Sequence, residues 1–343
     1  MPRKAKGPRL LVKRGAGREA VWIIRDAGSD FHTGCVEDDR AGAETALARH
    51  VLTQHAPTAE TITVGACLIL YAETHAPGVM DPARISYALH ALADFWADRS
   101  LEDVTPAACR QYAVERGVSD GTIRRELGVL RAALNVAVRE GWKMTAPYVA
   151  LPPKPAGRER WLTRDEVAAL LAACRTPRRR HMARAILIGV YTGTRPGAIK
   201  ALRWERNPDA GWIDADAGLL FRRGAASRTS KKRQTPAPLP RQLAAHVRRW
   251  REDGVGTVIH WAGRPVNRFR HGWSEALNRA ELGPEVTPHV LRHTAITWAM
   301  QRGAPVAEAC GYFGVSQRTM EDTYVHHHPE YLRGAVAAME RKR

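Results

Sequence analysis

Four short segments in the second half of the chain carry side chains that are suited to binding or attacking a phosphate group. The first is Tyr191-Thr-Gly-Thr-Arg195-Pro-Gly. A helix that ends at Thr-Gly and restarts near Pro196 would hold Arg195 at a tight turn, where the backbone fixes the guanidinium group. A single arginine at a turn more often has a structural role than a role in binding or catalysis. A functional role for Arg195 therefore depends on support from the other segments.

The second segment is Val286-Thr-Pro-His289-Val-Leu-Arg292-His293-Thr. Thr287 as N-cap and Pro288 at the first helical position predict a helix that begins here. His289 and Arg292 then lie three residues apart on one helix face, beside N-terminal backbone amides that attract an anion. A His-x-x-Arg pair is weak support by itself.

The third segment is strongly basic. Lys and Arg recur from Arg222 to Arg251 without one Asp or Glu, and the prolines and turn residues between them predict a β hairpin followed by a helix. Because nothing acidic neutralises the loop, phosphate binding is at least as good an interpretation as a solvated loop. The candidate phosphate-binding side chains of this loop are Arg228, Lys231, Lys232 and Arg233.

The fourth segment runs from Ser316 to Pro329 and contains Tyr324, followed by three consecutive histidines. A single tyrosine near a helix end is nearly always a packing residue. Adjacent histidines point in different directions, and no carboxylate or cysteine at ligand spacing completes a site. The sequence therefore predicts no metal centre.

The elements that position these side chains indicate a mostly α protein with small β elements, an α+β fold. Residues 1–57 contain short alternating stretches separated by glycines, which are typical of a β ribbon. A proline-rich stretch has the composition of a linker, and the capping box Thr163-Arg-Asp-Glu166 begins a helix just after it. The predicted organisation is an N-terminal ribbon at 1–57, a helical domain at 58–150, a linker at 151–160 and a second domain at 161–343.

The clearest helix of the first part spans Thr122 to Arg139, where apolar residues recur at intervals of three and four. Asp120 is its candidate N-cap. Arginines lie off the apolar stripe, so they form either a solvated basic face or a face that contacts DNA. The candidate DNA-binding arginines of this helix are Arg124, Arg125 and Arg131.

Composition narrows the classes of partner. The chain has 343 residues and a net charge of +18, which favours a nucleic acid over the main rival, an anionic membrane surface. No apolar run is long enough to span a bilayer, and the basic N-terminus lacks the apolar stretch of a secretory signal. The five cysteines are scattered and include no C-x-x-C pair, which argues against a disulfide framework and against a zinc site. This cysteine usage favours a protein of the reducing cytoplasm.

Together the four segments resemble the catalytic domain of the tyrosine recombinases, the family of phage integrases and Xer-type resolvases. The match runs from about residue 60 to about residue 340. The family's T-G-x-R motif corresponds to Thr192–Arg195, its H-x-L-R-H motif to His289–His293, its hairpin lysine to Lys231 or Lys232, and its nucleophile to Tyr324. Each motif is weak alone, but all four occur in the family's order and spacing.

Three positions depart from the family pattern. Val315 in Phe313-Gly314-Val315 stands where the family usually carries His or Trp, so this position has no hydrogen-bond donor. Ala198 stands where an acidic residue often follows the first arginine. The pair Lys231-Lys232 leaves two candidates for one lysine.

The resemblance implies a helical core-binding domain at 58–150, a catalytic domain at 161–343, and DNA strand transfer through a covalent 3′-phosphotyrosine. Arg195 and Arg292 would bind the non-bridging phosphate oxygens, since guanidinium is planar and always charged. His289 would donate a further hydrogen bond and take or relay the proton of Tyr324, whose pKa the positive charges would lower. Lys231 or Lys232 would protonate the leaving 5′ oxygen. Neither a cofactor nor a metal is implied.

The implied partner is double-stranded DNA, bound by a homotetramer that can be a monomer in solution, with DNA-bending accessory proteins as further partners and no membrane. The implied location is the cytoplasm, where a bacterial or phage-encoded protein of this kind associates with the nucleoid. Two alternatives stay open at this point. One is a catalytically weak DNA-binding accessory protein of the same fold, which Val315 and Ala198 motivate. The other is a type IB topoisomerase-like enzyme, which the helical first domain disfavours.

Overall fold

The computed structural model describes residues 7–15, 18–53, 62–79, 81–142, 145–155, 160–224, 226, 235–325, 336, 339 and 340. The chain divides into two compact units, Met1–Ala156 and Gly157–Arg343. Both units are mostly helical and carry small antiparallel sheets, so the α+β fold class predicted from the sequence is confirmed. Among the described residues, no helix is long and apolar enough to cross a membrane.

The first unit opens with an antiparallel sheet of three neighbouring strands, β1 (Arg9–Gly15), β2 (Arg18–Asp26) and β3 (Ser29–Val36). Val12 pairs with Trp22 across the first two strands, and Ile23 and Ile24 are buried. This sheet is the β ribbon that the sequence predicts.

Five α-helices follow the sheet in the described part of the first unit. They are α1 (Arg40–Thr53), α2 (Val64–Thr74), α3 (Pro82–Trp96), α4 (Pro106–Arg116) and α5 (Asp120–Arg139), with short 3-10 turns at Ala76–Gly78 and Leu101–Asp103.

Helix α5 buries the apolar stripe that the sequence predicts, with Leu127, Leu130 and Leu134 fully enclosed. Its N-cap is Ser119, so the assignment of the cap to Asp120 is wrong. A cap residue needs non-helical backbone, and Ser119 is extended (φ −61°, ψ 149°) whereas Asp120 is already the first helical residue. Asp120 still lies in the first turn, where a negative charge is favourable.

The second unit contains eight α-helices and five short strands in its described part. In chain order they are α6 (Arg164–Ala173), α7 (Arg180–Thr192), α8 (Pro196–Ala201), β4 (Trp212–Asp214), β5 (Leu219–Phe221), β6 (Ala237–Pro238), α9 (Arg241–Arg251), β7 (His260–Trp261), β8 (Arg264–Pro265), α10 (Arg270–Arg279), α11 (Val290–Gln301), α12 (Val306–Phe313) and α13 (Gln317–Met320), with a 3-10 turn at Pro177–Arg179 and a π-helical turn at Glu321–Val325.

Helices α7 and α11 pack closely in the core of this unit. A Cβ atom at Gly189 of α7 would lie 2.8 Å from Cδ1 and 2.9 Å from Cβ of Leu291 of α11, so only glycine permits this approach. The start of α6 is tied to α11 as well, because the Leu162 amide donates to Thr294 and the Trp298 indole donates to the Leu162 carbonyl. Helix α11 is therefore the central element around which the unit is built.

Two local predictions have different outcomes here. The capping box of α6 is confirmed, since the Thr163 side chain and the Glu166 side chain each bond the other's backbone amide. Helix α11, however, begins at Val290 with His289 at the N-cap, so Thr287 is not the cap. The Val290 amide donates to the Thr287 carbonyl, which closes a turn with Pro288 at the position that proline favours in turns.

The hairpin expected near residues 210–240 corresponds to the sheet of β4, β5 and β6, which are antiparallel neighbours in that order. The chain between β5 and β6 includes the predicted phosphate-binding loop. Its Arg228, Lys231, Lys232 and Arg233 lie outside the described residues.

The close approach of α7 and α11 can be tested with two alanine substitutions. Gly128 lies inside α5 with nothing within 4 Å of an added Cβ, so Gly128→Ala should raise the free energy of unfolding by about 0.5–1 kcal/mol through helix propensity. Gly189→Ala should lower it by about 1–3 kcal/mol, because the new methyl overlaps Leu291. Urea denaturation of the full chain, followed by circular dichroism, measures both; changes of the same sign would contradict this packing.

Candidate active site

Arg195 lies at the tight turn that the sequence predicts. Helix α7 ends at Thr192, Gly193 adopts a left-handed conformation (φ 61°), and α8 restarts at Pro196. Arg195 is the N-cap residue of α8 with extended backbone (φ −64°, ψ 141°), and its side chain is partly buried. A Cβ atom at Gly193 would lie 2.6 Å from the Phe313 ring, so the turn is pressed against the end of α12.

Arg292 joins this turn to α11 and α12. It is 7% exposed, Nη1 donates to the Gly193 carbonyl at 2.6 Å, and Nη2 donates to the Phe313 carbonyl at 2.6 Å. Burial and the nearby Arg195 charge lower the pKa of Arg292 to about 10, which leaves it protonated at neutral pH. Arg292 therefore has a structural role in addition to the phosphate contact expected from the sequence, and that contact stays a prediction.

Tyr324 lies in the π-helical turn Glu321–Val325 and is 8% exposed. Its ring belongs to an apolar cluster with Phe313, Val315 and Met320. Burial raises the pKa of Tyr324, and the charges of Arg292 and Arg195 act in the opposite direction. The sequence-based expectation of a lowered pKa is therefore wrong, because the loss of hydration outweighs the two arginines. The same relation shows that both arginines lie near the phenol.

The hydroxyl of Tyr324 makes its hydrogen bond with His293. The oxygen lies 3.0 Å from Nδ1 of His293, and the two ring centroids are 5.6 Å apart. His289 is the residue that the family resemblance implies as acceptor or relay of the Tyr324 proton. It is exposed at the N-cap of α11. Its assigned role stays a prediction. The sequence analysis does not assign a role to His293, since the three-residue spacing pairs Arg292 with His289. The signal for His293 in the sequence is its place as the last residue of the H-x-L-R-H motif.

Arg222 also differs from its sequence interpretation as part of a phosphate-binding loop. It is 4% exposed and turned inward. Nη2 donates to the Thr192 carbonyl at 2.9 Å, Nη1 to the carbonyls of Tyr312 at 2.8 Å and Thr235 at 2.5 Å, and Nε to the Thr194 hydroxyl at 3.1 Å. Arg222 thus ties the Arg195 turn to α12 and to the strand that follows the basic loop.

Both ends of that loop are consequently fixed on α12. Arg222 at its start bonds the Tyr312 carbonyl, and the Thr235 hydroxyl at its end donates to the Gly311 carbonyl at 2.6 Å. The described residues at the two ends of the loop therefore lie against α12, whose last residue, Phe313, also accepts a hydrogen bond from Arg292.

Comparison with known proteins gives the chain its family. The sequence pattern of the phage integrase family matches residues 160–330, about half of the chain. This range contains Arg195, His289, Arg292 and Tyr324. The chain belongs to the tyrosine recombinase family.

Two curated proteins are similar in sequence to this chain over more than half of its length. The integrase of Salmonella phage P22 is 26% identical over a segment that covers 60% of this chain but only 54% of the phage protein. The tyrosine recombinase XerA of Thermococcus kodakarensis is 27% identical over 63% of this chain and 76% of its own length.

Solved structures share the fold at low identity. The Tn1549 transposon integrase in complex with transposon right end DNA has a TM-score of 0.66 at 14% identity, covering 82% of this chain and 100% of that one. The lambda integrase dimer bound to a COC′ core site has a TM-score of 0.59 at 17% identity, covering 94% of this chain and 96% of that one.

One of the positions that depart from the family pattern, Val315, has apolar surroundings. Val315 is 9% exposed and packs in the same cluster as Tyr324. Ala198 lies in the first turn of α8 and is partly buried. Within the described residues, no group of three or more His, Cys, Asp and Glu is arranged to hold a metal ion.

The three candidate DNA-binding arginines lie on α5. Arg124 is partly buried and donates to the Pro152 carbonyl, so part of its guanidinium serves the fold. Arg125 is exposed and bonds Gly121 and Thr122 of its own helix, and Arg131 is exposed. Their contact with DNA stays a prediction.

The structural role of Arg222 can be separated from its charge by comparison with its neighbour. Arg222→Leu removes five hydrogen bonds and leaves buried carbonyls without donors, so we expect the free energy of unfolding to fall by about 3 kcal/mol. Arg223→Leu alters an exposed side chain and should change it by less than about 0.5 kcal/mol. Urea denaturation measures both; equal losses would contradict the inward orientation of Arg222.

Proposed function

We propose that this chain is a site-specific DNA recombinase of the phage-integrase type, which cuts and rejoins DNA strands through a covalent 3′-phosphotyrosine. The observation that carries the proposal is the position of Tyr324: its phenol lies in a partly closed site, where Arg195 and Arg292 both act on its pKa. A hydroxyl beside two guanidinium groups is arranged to attack a phosphorus whose oxygens those groups bind.

In this mechanism the two arginines bind the scissile phosphate and stabilise the charge that builds on its oxygens in the transition state. Arg195 is the better placed of the two to reach a ligand, because it is only partly buried whereas both terminal nitrogens of Arg292 donate to carbonyls. His289 at the start of α11 adds a further donor. Lys231 or Lys232 on the basic loop protonates the leaving 5′ oxygen.

No external energy source is needed, because the phosphotyrosine ester conserves the bond energy of the strand that was cut. Resealing is the reverse attack by a 5′ hydroxyl. The buried, apolar environment of Tyr324 protects this ester from water, since Phe313, Val315 and Met320 pack around the ring.

We further propose that residues 58–150 form the core-binding domain, with Arg124, Arg125 and Arg131 of α5 facing the DNA, and that the sheet within residues 1–57 is an additional DNA contact. The linker is residues 151–160, and the catalytic domain is residues 161–343. The net charge of +18 supports an extended electrostatic contact with the duplex. The active assembly is a homotetramer on two duplexes, in the cytoplasm, and DNA-bending proteins can assist it.

The nucleophile is tested with a suicide substrate nicked beside the cleavage point, so that the released fragment diffuses away and the adduct accumulates. The wild-type chain should form a protein–DNA adduct on a denaturing gel. Tyr324→Phe should form none while binding the same DNA, because only the hydroxyl is removed. A wild-type chain that binds DNA and never forms adduct would favour the accessory-protein alternative.

Arg195→Ala tests phosphate binding by the turn. We expect adduct formation to slow by at least about 10²-fold, since one donor to the transition-state oxygens is lost. DNA affinity should change little, because one phosphate contact is a small part of a large electrostatic footprint. Arg206→Ala, an exposed arginine after α8, removes the same charge and should keep the wild-type rate. Equal slowing in both variants would show an effect of net charge and would exclude a specific role for Arg195.

A further inference from the structure

We propose that His293 is a further catalytic residue, a base that takes the proton of Tyr324 during DNA cleavage. The inference rests on the proposed function and adds a residue to its site. It is carried by the direct contact between the two side chains, in which the phenolic oxygen lies 3.0 Å from Nδ1 of His293. This distance suits proton transfer without an intervening water.

The position of His293 is fixed by its neighbour in the chain. Arg292 is bound to the carbonyls of Gly193 and Phe313, so the residue before His293 is anchored to the Arg195 turn and to the end of α12. The next residue, His293, is partly buried and faces Tyr324, with the two rings inclined by 34°. The base is thus held by the same contacts that hold the phosphate-binding turn.

The charges around the pair favour the proton on the phenol before reaction. Burial lowers the pKa of His293, and the positive charges of His289 and Arg292 lower it further. Burial also raises the pKa of Tyr324, in spite of Arg195 and Arg292. At neutral pH the imidazole is therefore neutral. In the tautomer that carries its hydrogen on Nε2, the lone pair of Nδ1 accepts the hydrogen bond of the phenol. This is the protonation state that a general base needs.

The other groups close to the phenol are unsuited to accept its proton. Arg195 and Arg292 are cationic donors without an acceptor atom. Val315, at the position where the family usually has His or Trp, is apolar. Among the described residues, His293 is the hydrogen-bond partner of the Tyr324 hydroxyl.

The proton balance of the step is complete. The phenolic oxygen forms a bond to phosphorus while the bond from phosphorus to the 5′ oxygen breaks. The phenol proton moves to Nδ1 of His293, which becomes imidazolium, and the 5′ oxygen receives a separate proton from the basic loop. The arginine-bound phosphate, with its negative charge, stabilises the new imidazolium. In resealing His293 returns its proton to the tyrosine.

The test uses His293→Asn in the full chain, because the amide oxygen can keep the hydrogen bond from Tyr324 but cannot take the proton. With the suicide substrate at pH 7, we expect adduct formation to slow by about 10²-fold or more while DNA binding is retained. The wild-type rate should be flat from pH 7 to pH 9, above the lowered pKa of His293. The rate of the variant should rise about tenfold per pH unit over that range, following the phenolate fraction.

A second substrate separates loss of the base from loss of the acid. A 5′-bridging phosphorothiolate has a leaving group that departs as thiolate and needs little protonation. It should restore cleavage to variants of the hairpin lysine but not to His293→Asn. A His293→Asn chain that forms adduct at the wild-type rate at pH 7, or one that the phosphorothiolate restores, would overturn the inference alone. A wild-type chain without adduct would overturn the proposed function and the inference with it.

Discussion

The arrangement of the catalytic unit depends on one buried guanidinium group. Arg292 uses both terminal nitrogens to bond the carbonyls of Gly193 and Phe313. These two carbonyls belong to the turn that carries Arg195 and to the segment that leads to Tyr324. Because a planar guanidinium presents its donors in a fixed fork, the two bonds define the relative positions of the turn, of α11 and of the end of α12.

The same site brings together three guanidinium groups, those of Arg195, Arg222 and Arg292. Arg222 and Arg292 donate to backbone and hydroxyl oxygens, and the Arg195 charge lowers the pKa of both. Keeping these charges together out of water costs free energy. In the proposed function, the scissile phosphate diester would supply negative charge to this site. The buried Tyr324 and its hydrogen-bond partner His293 lie in the same unit.

Features set by local chain geometry were predictable from the sequence. Gly193 and Pro196 mark the helix end and restart around Arg195, and Thr163 with Glu166 marks the start of α6. The sequence also placed the candidate nucleophile and both arginines in one site, through the order and spacing of their motifs. These residues had local signals because capping, turn formation and helix breaking depend on a few consecutive side chains.

The features that could not be predicted depend on contacts between distant parts of the chain. Arg222 bonds the carbonyl of Tyr312, 90 residues further along the chain, and nothing in the basic run around it indicates that it turns inward. The raised pKa of Tyr324 comes from burial, which only the packed cluster creates. The contact of Tyr324 with His293 joins residues that are 31 positions apart in the chain, and neither local sequence indicates it.

The central claim is that the phenolic oxygen of Tyr324 forms the covalent bond to DNA, and mass spectrometry of the trapped adduct tests it most directly. Trypsin should release Tyr324 and Tyr331 in the single peptide 319–333. After nuclease digestion, fragmentation of that peptide should place the nucleotide on Tyr324. A nucleotide on Tyr331, or on any residue outside this peptide, would contradict the account.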